Sequence, residues 1–267
     1  MADLQILAEE LKKEGYSESS AEARVCQDII LKAIAESDLS RNVTIKGGVV
    51  MRSITGDVRR ATQDMDLDFI QFSLEESSIR RFIEKLNCLE GITIRVTGRI
   101  EELSQQEYRG KRVYVIFEDD TNHKLKSKID FGVHKNVQIE QDEYCFDVCM
   151  DDEGASLLIN SKEQIFAEKL RSLLKFGPLS TRYKDIYDLC YLTEYVQRER
   201  LTECIKTYIL DDPEMRENDM DAVRGRVSRT FSNRTYRRNL ERSGRANWLR
   251  LKVSAACERI ENFLTTL

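Results

Sequence analysis

Histidine is almost absent from this sequence, and its cysteines are scattered. Two histidines, His123 and His134, and seven cysteines occur among 267 residues, and no two cysteines have C-x-x-C spacing. A zinc site or a disulfide framework needs clustered Cys and His, so buried or idle thiols in a reducing cytosol are the better interpretation. The same shortage leaves little room for a His-based triad or a His-rich metal centre. Any chemistry must therefore depend on carboxylates, lysines and arginines.

Long apolar runs and prolines are also scarce. No apolar run reaches 18 residues and the mean hydropathy is −0.49, which excludes a transmembrane helix and predicts no membrane partner. The N-terminus is acidic where a secretory signal would be basic, so we expect a soluble, cytoplasmic protein. With 41% hydrophobic residues and only two prolines, a chain of this length can bury a sizeable core.

The charge is unevenly divided along the chain. The formal charge is −5, but residues 222–252 contain nine arginines and Lys252 against Glu241 alone, a segment charge of +9. Residues 253–267 sum to −1, which leaves −13 for residues 1–221. This polarity indicates an anionic partner for the Arg-rich segment, and the alternative is a solvated helical face.

Apolar residues near the N-terminus recur at helical spacing. Residues 4–38 show this spacing, and Gly15-Tyr16-Ser17 divides them into two helices. A β-branched strand over residues 43–45 is stopped by Lys46-Gly47-Gly48, and residues 49–54 predict a short helix that starts at the glycines.

From Asp64 to Phe69 the period changes to two, with three aspartates alternating with three apolar residues. This pattern predicts a strand with one acidic and one apolar face. Helical spacing returns over residues 75–88. Turn residues then separate three strand candidates typical of an antiparallel meander, Ile92–Ile100, Arg112–Phe117 and Lys126–Val133.

After about residue 155 the pattern is helical throughout, with a helix that ends at Gly177-Pro178, another around residues 186–192, and an interruption near Pro213. The predicted fold class is therefore α+β. We predict three segments, which are an N-terminal helical segment (1–40), a core (41–155) and a helical C-terminal region with the Arg-rich segment (156–267).

The acidic strand is the most informative stretch. Alternation places Asp64, Asp66 and Asp68 on one face about 7 Å apart, where like charges repel unless a cation lies among them. Mg²⁺ is the natural candidate because it prefers carboxylate oxygens together with substrate phosphates. Gly47 and Gly48 allow the backbone to approach a ligand closely. A solvated edge strand after a glycine turn is the alternative.

A further carboxylate, Asp130, ends the last strand candidate. If that strand pairs beside the acidic strand, Asp130 is a third carboxylate at the metal site, as two-metal phosphoryl transfer requires. The alternative is an ordinary carboxylate paired with Lys128.

Together these residues resemble the nucleotidyltransferase family of AbiEii/AbiGii-type toxins, a branch of the DNA polymerase β-like superfamily. The match runs from about residue 45 to 192. It is carried, in the family's order, by Lys46-Gly47-Gly48, Arg60-x-Thr62-x-Asp64-x-Asp66-Leu67, Lys128-x-Asp130, Ala167-Glu168-Lys169-Leu170-Arg171-x-Leu173-Leu174 and Arg182-x-Lys184-Asp185-Ile186-Tyr187-Asp188-Leu189.

The resemblance implies a mixed-sheet nucleotidyltransferase core over residues 41–155. It also implies roles for individual residues. Gly47 and Gly48 would contact the triphosphate of a nucleoside triphosphate (NTP), and Asp64 and Asp66 would bind Mg²⁺. Asp130 would be a metal ligand or a base. Lys169 would neutralise phosphates, and Asp185 would complete the helical side of the site with Arg182 or Lys184 nearby.

The helical motifs also allow structural interpretations. Lys169 on an apolar helix can extend its ammonium group to water. Asp185 suits the first turn of a helix, where the macrodipole favours an acid. Surface pairs of Asp185 and Asp188 with Arg182 and Lys184 are a further option.

The leading hypothesis is a Mg²⁺-dependent nucleotidyltransferase that moves a nucleoside monophosphate from an NTP to RNA. By the resemblance, tRNA is the leading acceptor and the protein is the toxin of a toxin–antitoxin or phage-defence system with a cognate antitoxin. The Arg224–Arg250 segment would contact RNA. Two alternatives remain, a small-molecule, antibiotic-type nucleotidyltransferase and a non-catalytic nucleotide-binding protein.

Overall fold

The chain divides after Asn160 into two compact units, and each is described by itself. The computed structural model describes residues 3–103, 110–134 and 139–267. The first unit combines a mixed β-sheet with helices, and the second unit, Ser161–Leu267, is helical.

The described part of the first unit contains a seven-stranded sheet. Its strands, in chain order, are β1 (Val43–Lys46), β2 (Met65–Phe69), β3 (Ile92–Leu103), β4 (Gly110–Asp119), β5 (Lys124–Val133), β6 (Asp142–Val148) and β7 (Asp151–Ile159). Their spatial order is β3-β4-β5-β2-β1-β7-β6. Neighbours are antiparallel except for β5 with β2 and β1 with β7, which pair in parallel. The α+β prediction with a mixed sheet is confirmed.

The predicted meander is confirmed as β3-β4-β5, and each of its strands is longer than the sequence pattern indicated. The acidic strand β2 is central in the sheet, between β5 and β1. It is therefore not the solvated edge strand that was the alternative interpretation.

The hairpin β6–β7 was not predicted from the sequence, and the helical region begins later than the expected residue 155. β7 continues to Ile159, and the first helix of the second unit starts only at Lys162. A period-two signal is present in β6, where Phe146 and Val148 are buried on either side of the exposed Asp147. The hairpin extends the sheet beyond β1.

Helices of the first unit are α1 (Leu4–Lys13), α2 (Glu18–Glu36), α3 (Gly47–Thr55) and α4 (Glu76–Lys85). α1 and α2 are separated at Gly15, whose φ of +105° a residue with a side chain rarely adopts, as the sequence predicted. α3 begins at Gly47, in agreement with the expected helix after the glycines.

The apolar face of β2 packs against α4 and β5. Phe69 on β2 has its ring centroid 5.0 Å from that of Phe82 on α4 and 5.0 Å from that of Phe131 on β5. Leu67 and Met65 are fully buried on the same face. Because side chains alternate along a strand, this packing directs the aspartates of β2 to the opposite face.

The second unit is built from α5 (Lys162–Phe176), α6 (Tyr183–Leu192), α7 (Arg198–Ile205), α8 (Met220–Ser232), α9 (Arg234–Arg242) and α10 (Val253–Leu264). α5 starts where Ser161 Oγ accepts a hydrogen bond from Gln164 N at 3.1 Å. It ends at Phe176, immediately before Gly177, as predicted. Across the described residues of both units, every helix is too short or too polar to cross a membrane.

Candidate functional site

The carboxylates of β2 share one face of the sheet with a carboxylate from β5. Asp66 lies opposite Asp130 in the parallel β2–β5 pair and opposite Lys46 in the antiparallel β1–β2 pair. Residues that are opposite in register have side chains on the same face, so Asp66 and Asp130 are neighbours. Asp68 on β2 is buried, and Asp64 precedes the strand with its side chain 48% exposed. The sequence expectation that these two strands pair is confirmed.

The glycine pair lies directly against this acidic face. Gly47 has a φ of +68°, and a Cβ atom there would lie 2.4 Å from Asp66 Oδ2. A Cβ atom at Gly48 would lie 2.4 Å from Thr62 Oγ1. The turn from β1 into α3 therefore approaches Asp66 closely because these positions have no side chain. The first N–H groups of a helix have no intrahelical acceptor, so this turn can bind an anionic group.

Cationic side chains of the same unit neutralise the acidic face. Lys46 Nζ lies 2.6 Å from Asp68 Oδ1, and Lys128 Nζ lies 2.8 Å from Asp64 Oδ1. The alternative sequence interpretation paired Lys128 with Asp130. The structure instead pairs it with Asp64, because Met65 opposes Ile129 and the two preceding residues are therefore also opposite.

Asp130 is held by Arg112 in a bidentate pair. Arg112 Nε and Nη2 each donate to one carboxylate oxygen of Asp130 at 2.7 Å, across the β4–β5 pair. These hydrogen bonds, only partly offset by burial, raise the pKa of the Arg112 guanidinium above its ordinary value. Asp130 is 8% exposed, so this bidentate pair stabilises its charge and fixes its orientation.

The same residues are the candidate ligands of a metal ion. In residues 3–103, 110–134 and 139–267, no group of three or more His, Cys, Asp or Glu side chains is arranged to hold an ion. The donor chemistry nevertheless fits a divalent cation. Asp66 and Asp130 are neighbouring carboxylates, and Asp64 precedes Asp66 by two residues on the same face. Carboxylate oxygens are the ligands that Mg²⁺ prefers. Lys128 and Arg112 supply positive charge at this face in the structure described here.

The predicted helical residues form a buried ionic network within the second unit. Lys169 on α5 places its Nζ 2.5 Å from Asp185 Oδ1 and 2.9 Å from Asp188 Oδ2, both on α6. Arg182 Nε donates to Asp185 Oδ2 at 2.7 Å. The Lys169 side chain is 7% exposed, so its ammonium group is held by carboxylates rather than extended to bulk water.

Two residues of these networks were not singled out as site residues by sequence reasoning. Arg112 is the bidentate partner of Asp130, and Asp188 is fully buried and accepts a hydrogen bond from Trp248 Nε1 at 3.0 Å. One of the sequence interpretations placed Asp188 in a surface pair. Its burial follows from the packing of α6, where Tyr187 and Leu189 on either side of it are also fully buried.

The Arg-rich segment contains both paired and unpaired guanidinium groups. Arg224 Nη2 lies 2.6 Å from Asp221 Oδ1, and Arg226 Nε donates to the Leu174 carbonyl at 3.2 Å. Arg234, Arg238 and Arg242 of α9 are exposed and form no ion pair within the described chain. Their i, i+4, i+8 spacing places them on one face of the helix, opposite the buried Tyr236 and Leu240.

Comparison with known proteins identifies the class of protein to which this chain belongs. Residues 29–255 match the family model described as "Nucleotidyl transferase AbiEii toxin, Type IV TA system". The chain is a nucleotidyltransferase. More particularly, it belongs to the AbiEii toxin family of type IV toxin–antitoxin systems, as the sequence resemblance predicted.

Solved structures with some similarity to the chain were also found. One is an antigenic nucleotidyltransferase-like protein from Paracoccidioides brasiliensis, with 14% identity, a TM-score of 0.46, and coverage of 82% of this chain and 92% of that chain. Another is the antibiotic-resistance factor ANT(2'')-Ia, with 17% identity, a TM-score of 0.43, and coverage of 71% and 92%. No curated protein matches the chain.

Proposed function

We propose that this chain transfers a nucleoside monophosphate from an NTP to an RNA acceptor, with tRNA as the leading candidate. The observation that carries the proposal is the placement of Asp66 between Asp130 and the close-approaching Gly47. This arrangement combines a carboxylate pair with a backbone turn suited to phosphate, which are the two parts that nucleotidyl transfer needs.

Asp64, Asp66 and Asp130 would hold the divalent ion, for which we propose Mg²⁺. When bound, the ion would neutralise charge that develops on the phosphate oxygens. The N–H groups of the Gly47-Gly48 turn would bind the triphosphate. Asp130, which Arg112 orients, would either complete the metal site or accept a proton from the acceptor hydroxyl. Positioning contributes much of the acceleration in such a transfer. The roles of Lys169, Arg182 and Asp185 stay predictions from the family motifs.

Support for RNA as the acceptor comes from the exposed, unpaired arginines of α9. Guanidinium groups bind phosphate in a bidentate geometry, and a row of them on one helix face suits a polyanionic backbone. A small-molecule acceptor gives no reason for such a row. A cognate antitoxin is the further partner that we propose from membership of a toxin–antitoxin family, and a cytoplasmic location stays a prediction.

The test is transfer of label to RNA. The purified protein is incubated with each of the four α-³²P NTPs, Mg²⁺ and total cellular RNA, and the products are separated on a denaturing gel. We expect label in a tRNA-sized band with one preferred NTP. Asp66→Ala should abolish the label while its circular dichroism spectrum remains that of the wild type, because Asp66 is on the polar face of β2 and not in the apolar core.

Three other outcomes would each contradict part of this proposal. Full activity in Asp66→Ala would disprove the assignment of the acidic face as the catalytic site. Label on a small molecule or on the protein itself would replace RNA as the acceptor. NTP binding by calorimetry without any transfer would favour the non-catalytic alternative.

A further inference from the structure

A cleft of about 310 Å³ opens beside the acidic face, within the first unit. It exists because β5 extends beyond the start of β2. Met65, the first residue of β2, pairs with Ile129, so the part of β5 from Lys124 to Lys128 has β4 on one edge and no strand on the other among the described residues. Gln63 and the first turns of α2 border the gap instead.

The lining of this cleft combines an aromatic ring with cations. Tyr114 on β4 is 37% exposed, and its hydroxyl group donates a hydrogen bond to Glu101 Oε2 at 3.2 Å. Lys126 on β5 is exposed and has no ion-pair partner in the described part of the chain. Lys128 and Tyr114 are opposite in the β4–β5 register and therefore lie on the same face of the sheet.

Charge in the cleft is polarised across its width. Lys126 and Lys128 lie on the β5 side, whereas Glu22 of α2 lies on the other side. An anionic group is therefore favoured along β5. Ser19 and Gln63 supply hydrogen-bonding groups near the α2 side. An aromatic ring beside a cation matches a single nucleotide, whose base stacks on aromatic side chains and whose phosphate binds Lys or Arg.

The position of the cleft relative to the carboxylates distinguishes the two substrates. In the sheet order, β1 and the Gly47-Gly48 turn lie on one side of β2, whereas β5 and β4 lie on the other side. If the glycine turn binds the triphosphate of the donor, the cleft is on the opposite side of Asp66. Lys128 connects the cleft to the site directly, through its ion pair with Asp64.

We propose that this cleft binds the terminal nucleotide of the RNA acceptor, with the base on the Tyr114 ring and a backbone phosphate on Lys126. This inference rests on the proposed function, since it assigns the acceptor side of the same site. The cleft would bring the end of the RNA strand to the β5 side of the carboxylates, where Asp130 follows Lys128 on the same face of the strand.

The first experiment measures binding of a 5′-fluorescein single-stranded RNA octamer by anisotropy. Tyr114→Leu removes the ring and keeps an apolar side chain, and we expect about 5- to 150-fold weaker RNA binding because one base loses its stacking partner. Tyr114→Phe should bind like the wild type. Lys126→Gln should lower the slope of log affinity against log salt by about 0.7, as for one lost phosphate contact.

Lys124→Gln is the matched control for the lysine. Lys124 is on the same strand and is also exposed, but it does not line the cleft. Its Nζ atom is paired with Glu118 Oε1 at 3.1 Å. We expect its RNA affinity to be unchanged. Lys126 is at an exposed position, so its substitution does not threaten folding and the test remains decisive if Tyr114→Leu is unstable.

NTP affinity, measured by calorimetry for each of the four NTPs with Mg²⁺, separates the acceptor from the donor. We expect the cleft variants to bind NTP as the wild type does and to raise the KM for RNA with kcat unchanged. Weaker NTP binding with unchanged RNA binding would assign the cleft to the donor base and overturn the proposal. Unchanged affinity for both ligands would show that the cleft is not a nucleotide site, and it would also overturn the proposal.

A cross-linking experiment tests the terminal position. RNA with 4-thiouridine at its 3′ end should cross-link at or beside Tyr114, as located by mass spectrometry, whereas RNA with an internal 4-thiouridine should not. Equal cross-linking from both probes would contradict binding of the terminal nucleotide. Failure of the proposed function is distinguishable, because absence of label transfer by the wild type leaves the RNA-affinity comparison intact. Label transfer with a wild-type KM for RNA in the cleft variants would overturn only the proposal that the cleft binds the acceptor.

Discussion

At the scale of single residues, Gly47 and Gly56 have similar positive φ angles in different surroundings. Their φ values are +68° and +61°, and both belong to α3 or its end. A Cβ at Gly47 would meet the Asp66 carboxylate, whereas a Cβ at Gly56 would have nothing within 4 Å. Glycine is therefore required at position 47 for two reasons, which are its positive φ and the lack of space for a Cβ atom beside Asp66.

We predict that Gly56→Ala lowers the free energy of unfolding by about 1 kcal/mol, the cost of a left-handed alanine. Gly47→Ala should cost more than Gly56→Ala, by about 1 kcal/mol or more, because Asp66 must also move. It should also weaken NTP binding, which Gly56→Ala should leave unchanged. Urea unfolding and calorimetric NTP titration check both effects, and equal results for the two variants would disprove the close approach.

At the scale of elements, the β4–β5 turn fastens α1 to the sheet. Asp119 Oδ2 accepts a hydrogen bond from Leu4 N at 2.9 Å, and Asp119 Oδ1 accepts from Thr121 Oγ1 at 2.7 Å. Burial opposes the charged form of Asp119, but these hydrogen bonds and one from His123 N outweigh it and hold the pKa of the carboxyl below its ordinary value. A negative charge at the start of a helix also complements its dipole.

The sign of the pH effect follows from this lowered pKa. Asp119 adds stability above its unfolded pKa of about 3.9, and this contribution is lost as the pH falls through the lower folded pKa. We predict that Asp119→Ala lowers the free energy of unfolding by about 1–2 kcal/mol at pH 7. The loss should shrink as the pH falls from about 5 towards 3.

The matched control for this prediction is Asp120→Ala, which removes an exposed aspartate that has no partner among the described residues. Urea unfolding at several pH values should give a wild-type profile for this variant. Hydrogen exchange should show faster exchange of α1 in Asp119→Ala alone. A loss independent of pH would mean that Asp119 stabilises the turn without its charge.

At the scale of the whole molecule, the chain carries its negative and positive charges in different parts of the sequence. Residues 1–221 hold the acidic excess, and α9 in the Arg-rich segment presents its arginines at intervals of about 6 Å along the helix. An unpaired cationic row of this kind acts on polyanions through counterion release, so its contribution depends on salt.

We predict that replacing Arg234, Arg238 and Arg242 together by Gln reduces the slope of log RNA affinity against log salt by about 2. The control replaces three cations of the first unit that are already paired, namely Arg80 with Glu76, Lys85 with Asp38 and Arg95 with Glu118. Anisotropy with the labelled octamer at several salt concentrations measures both. An unchanged slope in the α9 variant would remove the arginine row from the RNA interface.

Much of the fold could be predicted because its signals are local. Each signal lies within a single element, where the spacing of apolar residues and the turn residues decide the structure. Examples are the alternation over Asp64–Phe69, the glycine break before α3 and the helical spacing before Gly177. The β6–β7 hairpin was missed although its alternation is present, since the first helical stripe follows it after a few residues.

The sequence by itself determined the acidic strand, the glycine turn, the α+β class and the family, because all of these depend on residues close together in the chain. Only the tertiary structure decided which charges meet. The pairs Lys128–Asp64, Arg112–Asp130 and Lys169–Asp188 join residues from different elements. Strand register and helix packing fix such pairs, and both are set by burial of the apolar faces across the whole unit. The cleft beside β5 has the same origin, since it follows from where β2 begins relative to its neighbour.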